Sequence, residues 1–232
     1  MNLPQVAISA NHLSKWFGEG QTHVMAVREV NVQAHFGEML FLVGPSGSGK
    51  TTFLSMISGI LRPSEGQVQV LGSDLWSMSA DQLASFRLNH LGFVFQDFHL
   101  FPRLTAAENV AIPLILRGDD WVHSILRSEA MLETVGLPNR GQTLPVKLSG
   151  GEQQRVAIAR AMVGEPEIMI FDEPTASLDG DTGKKIIAFV KQNILNSKRC
   201  ILIVTHDSRI NEYADRIVQM ENGQIFESLK GV

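Results

Sequence analysis

The sequence predicts an α/β domain organised around a phosphate-binding loop, and three observations carry that expectation. Apolar runs that suit buried strands, such as Met39–Val43 and Cys200–Thr205, alternate with stretches of helical periodicity. Gly44-Pro45-Ser46-Gly47-Ser48-Gly49-Lys50-Thr51-Thr52 stands between one such run and the helically spaced Phe53–Ile57. A mostly helical stretch, from about Asp97 to Pro145, interrupts the core.

In the loop, small residues let backbone N–H groups converge on phosphate oxygens at a helix N-terminus. In this spacing Lys50 reaches the β- and γ-phosphates and Thr51 coordinates Mg²⁺. A flexible turn before a helix needs neither the lysine nor the hydroxyl. The motif gives nucleotide binding, and the reaction has to be read elsewhere.

Before the loop, Ile8–Leu13 and Val24–Val32 read as strands. Between them Trp16 and Phe17 precede the turn Gly18-Glu19-Gly20, and this aromatic pair either closes the sheet edge or stacks on a nucleobase. After the loop come the strand Gln67–Leu71 and a helix from near Asp81, capped by Ser79 and Gln82. Leu91–Gln96 reads as an apolar strand whose final glutamine either meets water or reaches a metal ion.

Asp97–Leu104 is irregular and rich in apolar residues, a segment that packs under a helix or docks another protein. Thr105 and Glu108 form a capping box for a helix containing Pro113, a candidate kink, and Val122–Val135 has helical spacing. Ser149 and Glu152 cap a further helix, and Gly150 and Gly151 offer N–H groups, making a second anion-site candidate. One chain already surrounds its phosphate with the first loop, so a second subunit is the natural user of the second.

Ile168–Phe171 ends in Asp172 and Glu173, placed to join a Mg²⁺ shell and to polarise a water. Asp179 is either a helix cap or a contact across a dimer. His206, at the end of Cys200–Thr205, is either structural or a γ-phosphate contact. Asn222-Gly223 between apolar stretches is a hairpin signal.

Bulk properties narrow the class. A net charge of −4 with 19% charged residues gives no basic excess for wrapping nucleic acid. No apolar run approaches the roughly 20 residues that span a bilayer, and Met1–Ala10 lacks the regions of a signal peptide, so a cytoplasmic location is expected. The single cysteine, Cys200, reads as a core thiol.

Together these motifs resemble the nucleotide-binding domain of an ATP-binding cassette (ABC) protein over nearly the whole chain. Leu148–Gln153 resembles the family signature, in the right order with the phosphate loop, Gln96, Asp172-Glu173, Asp179 and His206. The resemblance implies one domain over 1–232, a P-loop NTPase (RecA-like) core with an N-terminal antiparallel β subdomain and an inserted α-helical subdomain. The division falls at about 1–96 with 146–232, and about 97–145.

The resemblance also implies ATP, Mg²⁺ and a head-to-tail dimer in which each ATP lies between one chain's phosphate loop and the other's signature. By position Phe17 matches the adenine-stacking aromatic, Gln96 senses metal and water, and Asp172 holds Mg²⁺ through water. Glu173 matches the general base and His206 the γ-phosphate contact, while Ser149, Gly150, Gly151 and Glu152 face the partner's nucleotide. Phe17 replaces the usual tyrosine, Glu152 the common glutamine, and Ala176-Ser177-Leu178-Asp179 the commoner Ser-Ala-Leu-Asp; none removes a catalytic group.

Details near Gly92–Gln96 and Leu104–Val110 look most like the lipoprotein-releasing, macrolide-export and heterocyst-exporter branch. That implies an ATPase working through a separate transmembrane permease, held peripherally on the inner face of the cell membrane. Docking falls to the helical insertion and the segment after Gln96, with Phe98 and Leu100 as its probes. The other reading is a regulatory ABC protein that signals to a division or cell-wall partner without transport.

Overall fold

The computed structural model describes residues 5–18 and 22–230. The chain opens with strands β1 (Val6–Phe17), β2 (Val24–His35) and β3 (Met39–Val43), then helix α1 (Lys50–Ile57), β4 (Glu65–Val70) and the short β5 (Ser73–Asp74). Helix α2 (Ala80–His90), β6 (Leu91–Val94), α3 (Ala106–Arg117), α4 (Trp121–Thr134) and α5 (Gly150–Met162) follow. β7 (Ile168–Asp172), α6 (Gly180–Phe189), β8 (Cys200–Thr205), β9 (Arg216–Glu221) and β10 (Gln224–Lys230) complete the order. Of the expected turn before β2, Glu19 and Gly20 lie outside the described residues.

β3, β7 and β8 lack the polar alternation of a half-exposed strand because both their faces are covered. Met39 and Phe41, with Met169, Phe171, Ile201 and Ile203, enter one core beside α3, α5 and α6. Leu40 and Leu42, with Ile168, Ile170, Leu202 and Val204, enter a second core beside α1 and the N-terminal strands. Fully burying each such side chain stabilises by about 1.5–3 kcal/mol, so these strands are the rigid base on which the site stands.

The strands form a six-stranded sheet in the order β10-β9-β3-β8-β7-β6 and a four-stranded sheet β2-β1-β4-β5. β3 runs parallel to β8 and β9, and β7 to β6 and β8, while the four-stranded sheet is antiparallel. The Asn222-Gly223 hairpin joins β9 to β10, with both residues at positive φ as a two-residue turn of this kind requires.

Helix starts follow their caps. Ser79, Thr105 and Ser149 each accept from the N–H three residues on and close a full capping box. Asp120 caps α4 by accepting from the His123 N–H. Pro113 does not end α3, which continues to Arg117.

Two expectations are refined. β6 pairs with β7 only to Val94, leaving Phe95 and Gln96 beyond the strand. Phe95 instead packs its ring beside those of Phe93 and His99, with centroids 4.3 and 4.7 Å away. Phe98 is buried in the helical core, and Arg160 donates to the carbonyls of Phe98 and His99, so Phe98 is a packing residue and not a surface probe of docking.

Candidate functional site

Three neighbouring parallel strands end together. Val43 lies opposite Thr205, and Asp172 opposite Val204, so the phosphate loop after β3, His206 after β8 and Glu173 after β7 leave the sheet side by side. Open α/β sheets bind ligands at this carboxyl edge. A cavity of about 410 Å³ opens there, lined by Ser46, Gly47, Gly49, Lys50, Thr51 and Thr52 on one side. Gln96, Asp172, Glu173 and His206 line the other, and Ala26 of β2 forms part of the wall.

The loop is held open by backbone geometry. Gly49 sits at φ 104°, and a Cβ there would lie 2.4 Å from the Ala26 carbonyl oxygen, so only glycine fits between the two sheets at this point. α1 begins at Lys50 with no side-chain cap, which leaves its N–H groups and the positive end of its dipole available to an anion.

Lys50 is nearly buried and donates to the carbonyls of Gly44 (2.7 Å) and Pro45 (2.9 Å). Burial lowers its pKa, while the carboxylates of Glu173 and Asp172 oppose that shift. On the facing side burial raises the Asp172 pKa, Glu173 raises it further, and Lys50 acts against both. An ammonium and two acids in one low-dielectric cleft form an arrangement that an entering polyphosphate and cation would neutralise.

Glu173 adopts φ 50°, an uncommon conformation for a residue with a side chain, and its N–H donates to the Val204 carbonyl. That twist turns its carboxylate toward β8, where it accepts from the His206 backbone N–H (3.2 Å) and lies 2.9 Å from His206 Nδ1. The acid is nearly buried, while the imidazole is well exposed at the cavity rim.

The remaining expected residues lie outside this cavity. Gly44, Pro45 and Ser48 belong to the loop but do not line it. Phe17, at the end of β1, is half exposed with Lys15 Nζ 5.3 Å from its ring centre. Trp16 is partly buried, with its ring centroid 6.0 Å from that of His23. Ser149, Gly150, Gly151 and Glu152 form the start of α5 away from the cavity lining. Asp179 caps α6 by accepting from Thr182, which holds its carboxyl below its usual range.

The structure also contains a network that the sequence reading lacks. Asp207 accepts from Arg209 through Nε (2.7 Å) and Nη2 (2.8 Å) and from Thr175 Oγ1 (2.9 Å). It ties the turn after Glu173 to the residue next to His206. The bond from Arg209 is the main reason the Asp207 pKa falls to about 2. The sequence signal is slight, an Asp two residues before an Arg at the start of a short 3₁₀ turn.

A phosphate loop on the central strand, with an acidic pair, a glutamine and a histidine on the adjoining strand ends, defines a P-loop nucleoside triphosphatase. Residues 27–176 match the family described as ABC transporter, and the chain belongs to that family. It is 39% identical over 223 residues to the lipoprotein-releasing system ATP-binding protein LolD of Chromohalobacter salexigens, covering 96% of this chain and 94% of that one. It is 38% identical over 220 residues to the macrolide export ATP-binding/permease protein MacB 2 of Aeromonas hydrophila, covering 95% of this chain and 34% of that protein.

Among solved structures, the ATP-binding cassette MJ0796, dimeric in a post-hydrolysis state with ADP and Pi, superposes with a TM-score of 0.87 at 35% identity. The match covers 97% of this chain and 99% of that one. The chain is an ABC ATP-binding subunit and an ATPase. Among the described residues no helix is long and apolar enough to cross a membrane.

Proposed function

We propose that two copies of this chain bind two ATP molecules head to tail, and that hydrolysis drives a separate membrane-spanning permease on the inner face of the membrane. The observation that carries this reading is the division of polar groups. Lys50, Thr51, Gln96, Asp172, Glu173 and His206 converge on one cavity, while the signature turn of the same chain contributes nothing to its lining.

In this reading Lys50 and the loop N–H groups bind the β- and γ-phosphates, and Phe17, more exposed than Trp16, stacks on adenine. Glu173 takes the proton of the attacking water, His206 donates to the γ-phosphate, and Gln96 orients the water. Ser149, Gly150 and Gly151 complete the second copy's site, and Asp179 lies at the junction of the two.

The donor set suits Mg²⁺, a hard cation that takes few protein oxygens and keeps water and phosphate ligands. One Asp172 oxygen, Oδ1, is buried without a hydrogen-bond partner. Thr51 and Asp172 would hold the ion with Gln96, and it would neutralise charge on the phosphate oxygens.

Toward the membrane, the helical insertion exposes Phe101, Leu116, Trp121, Val122 and Leu126, an apolar set that suits a permease partner. The insertion, about 97–145, is then the docking part of the single domain, and the substrate class follows the permease, whether export or lipoprotein extraction. The test is Glu173→Gln. ATP binding should persist, turnover should fall at least about 100-fold, and a dimer should accumulate in ATP. Unchanged steady-state hydrolysis would refute Glu173 as the base.

A further inference from the structure

The start of α5 already carries an anion of its own. Ser149 N–H and Oγ donate to Glu152 Oε2 at 2.9 and 3.0 Å, and Glu152 N–H returns a bond to Ser149 Oγ at 3.3 Å. The hydroxyl and the dipole that a second copy's phosphate needs are therefore engaged by a carboxylate. A triphosphate arriving here meets like charge.

The other oxygen of that carboxylate is occupied too. Arg140 Nη2 lies 3.1 Å from Glu152 Oε1. The comparable box at α3, Thr105 with Glu108, has no ion pair among the described residues. Arg140 stands in the turn after α4, where backbone bonds from Arg140 N–H to the Leu137 carbonyl and from Thr143 N–H to the Arg140 carbonyl hold the chain. Its half-exposed side chain is not needed for that turn.

We propose that Arg140 is a positioning residue for ATP-driven pairing of two copies: it neutralises Glu152 so that the signature turn accepts the partner's terminal phosphate. The inference rests on the head-to-tail reading above. Neutralisation leaves Ser149 Oγ free to exchange the carboxylate for the phosphate without net repulsion, and both sites of the pair use it.

The experiment titrates ATP against dimer formation by analytical ultracentrifugation in a Glu173→Gln background. Arg140→Gln should raise the half-maximal ATP about two- to fivefold, since each of the two sites takes one ATP and loses one exposed ion pair. ATP binding to the monomer should not change, and the difference should shrink in about 0.5 M salt. Arg140→Lys should restore most of the effect, and Arg140→Gln with Glu152→Gln should return to the parent value.

An unchanged midpoint in Arg140→Gln would overturn the inference. So would a loss that persists in the double variant, which would mark a structural role. A Glu173→Gln parent that stays monomeric in ATP would instead overturn the head-to-tail reading, and this inference with it.

Discussion

The phosphate loop and the signature turn are both glycine-bearing helix starts, and they differ in everything around the glycines. α1 starts without a side-chain cap, its lysine is nearly buried, and strand ends wall the space before it. α5 starts with a closed capping box whose serine is exposed and whose acid is paired with Arg140. The first presents open donors in a cavity, so it can hold an anion by itself. The second presents occupied donors on a surface, and in the proposed head-to-tail pair it gains a use only when the other copy brings the phosphate.

That contrast predicts two different defects. Lys50→Ala and Ser149→Arg should each lower turnover at least about 100-fold, but only Lys50→Ala should weaken ATP binding to the monomer, read by a fluorescent ATP analogue. Equal loss of binding in both would erase the distinction between the two helix starts.

A smaller effect separates core from surface within the insertion. Phe98→Asp should cost about 3 kcal/mol or more in chemical denaturation, because it places a charge in the helical core. Phe101→Asp, on an exposed side chain, should stay within about 0.5 kcal/mol and instead reduce stimulation by a permease. Normal stimulation would remove Phe101 from the docking surface.

The smallest effect concerns the network beside His206. The Asp207 pKa is lowered from 3.8 to about 2 by its bonds, so its contribution is present above about pH 4 and is lost as pH falls through about 2. Wild type should therefore exceed Asp207→Asn in stability by a constant margin above pH 4, narrowing toward pH 2. A margin independent of pH would mean that the charge is not what the network uses.

The strands and the cavity are legible in the sequence because β3, β7 and β8 are covered on both faces, which writes unbroken apolar runs. α6 is legible only at its start, where Asp179 offers a cap, because Gly180 and Gly183 in its first turns weaken the helical signal. Packing decides instead: a Cβ at Gly183 would lie 3.0 Å from Thr175 Cγ2. Pairings across long separations, Gly49 against Ala26 and Arg140 against Glu152, leave no periodic trace. Cys200 needs no such information, since its buried run alone indicates a core thiol, and burial drives its pKa up to about 12.

The claim that neither helix start completes a site within one chain can be measured by mixing. Lys50→Ala keeps an intact signature turn and Ser149→Arg keeps an intact phosphate loop, so a mixed pair holds one whole site. Combining equal amounts of the two inactive variants should restore hydrolysis to about a quarter of wild type, from half the pairs carrying one site of two. Activity no greater than the sum of the separate variants would contradict the account.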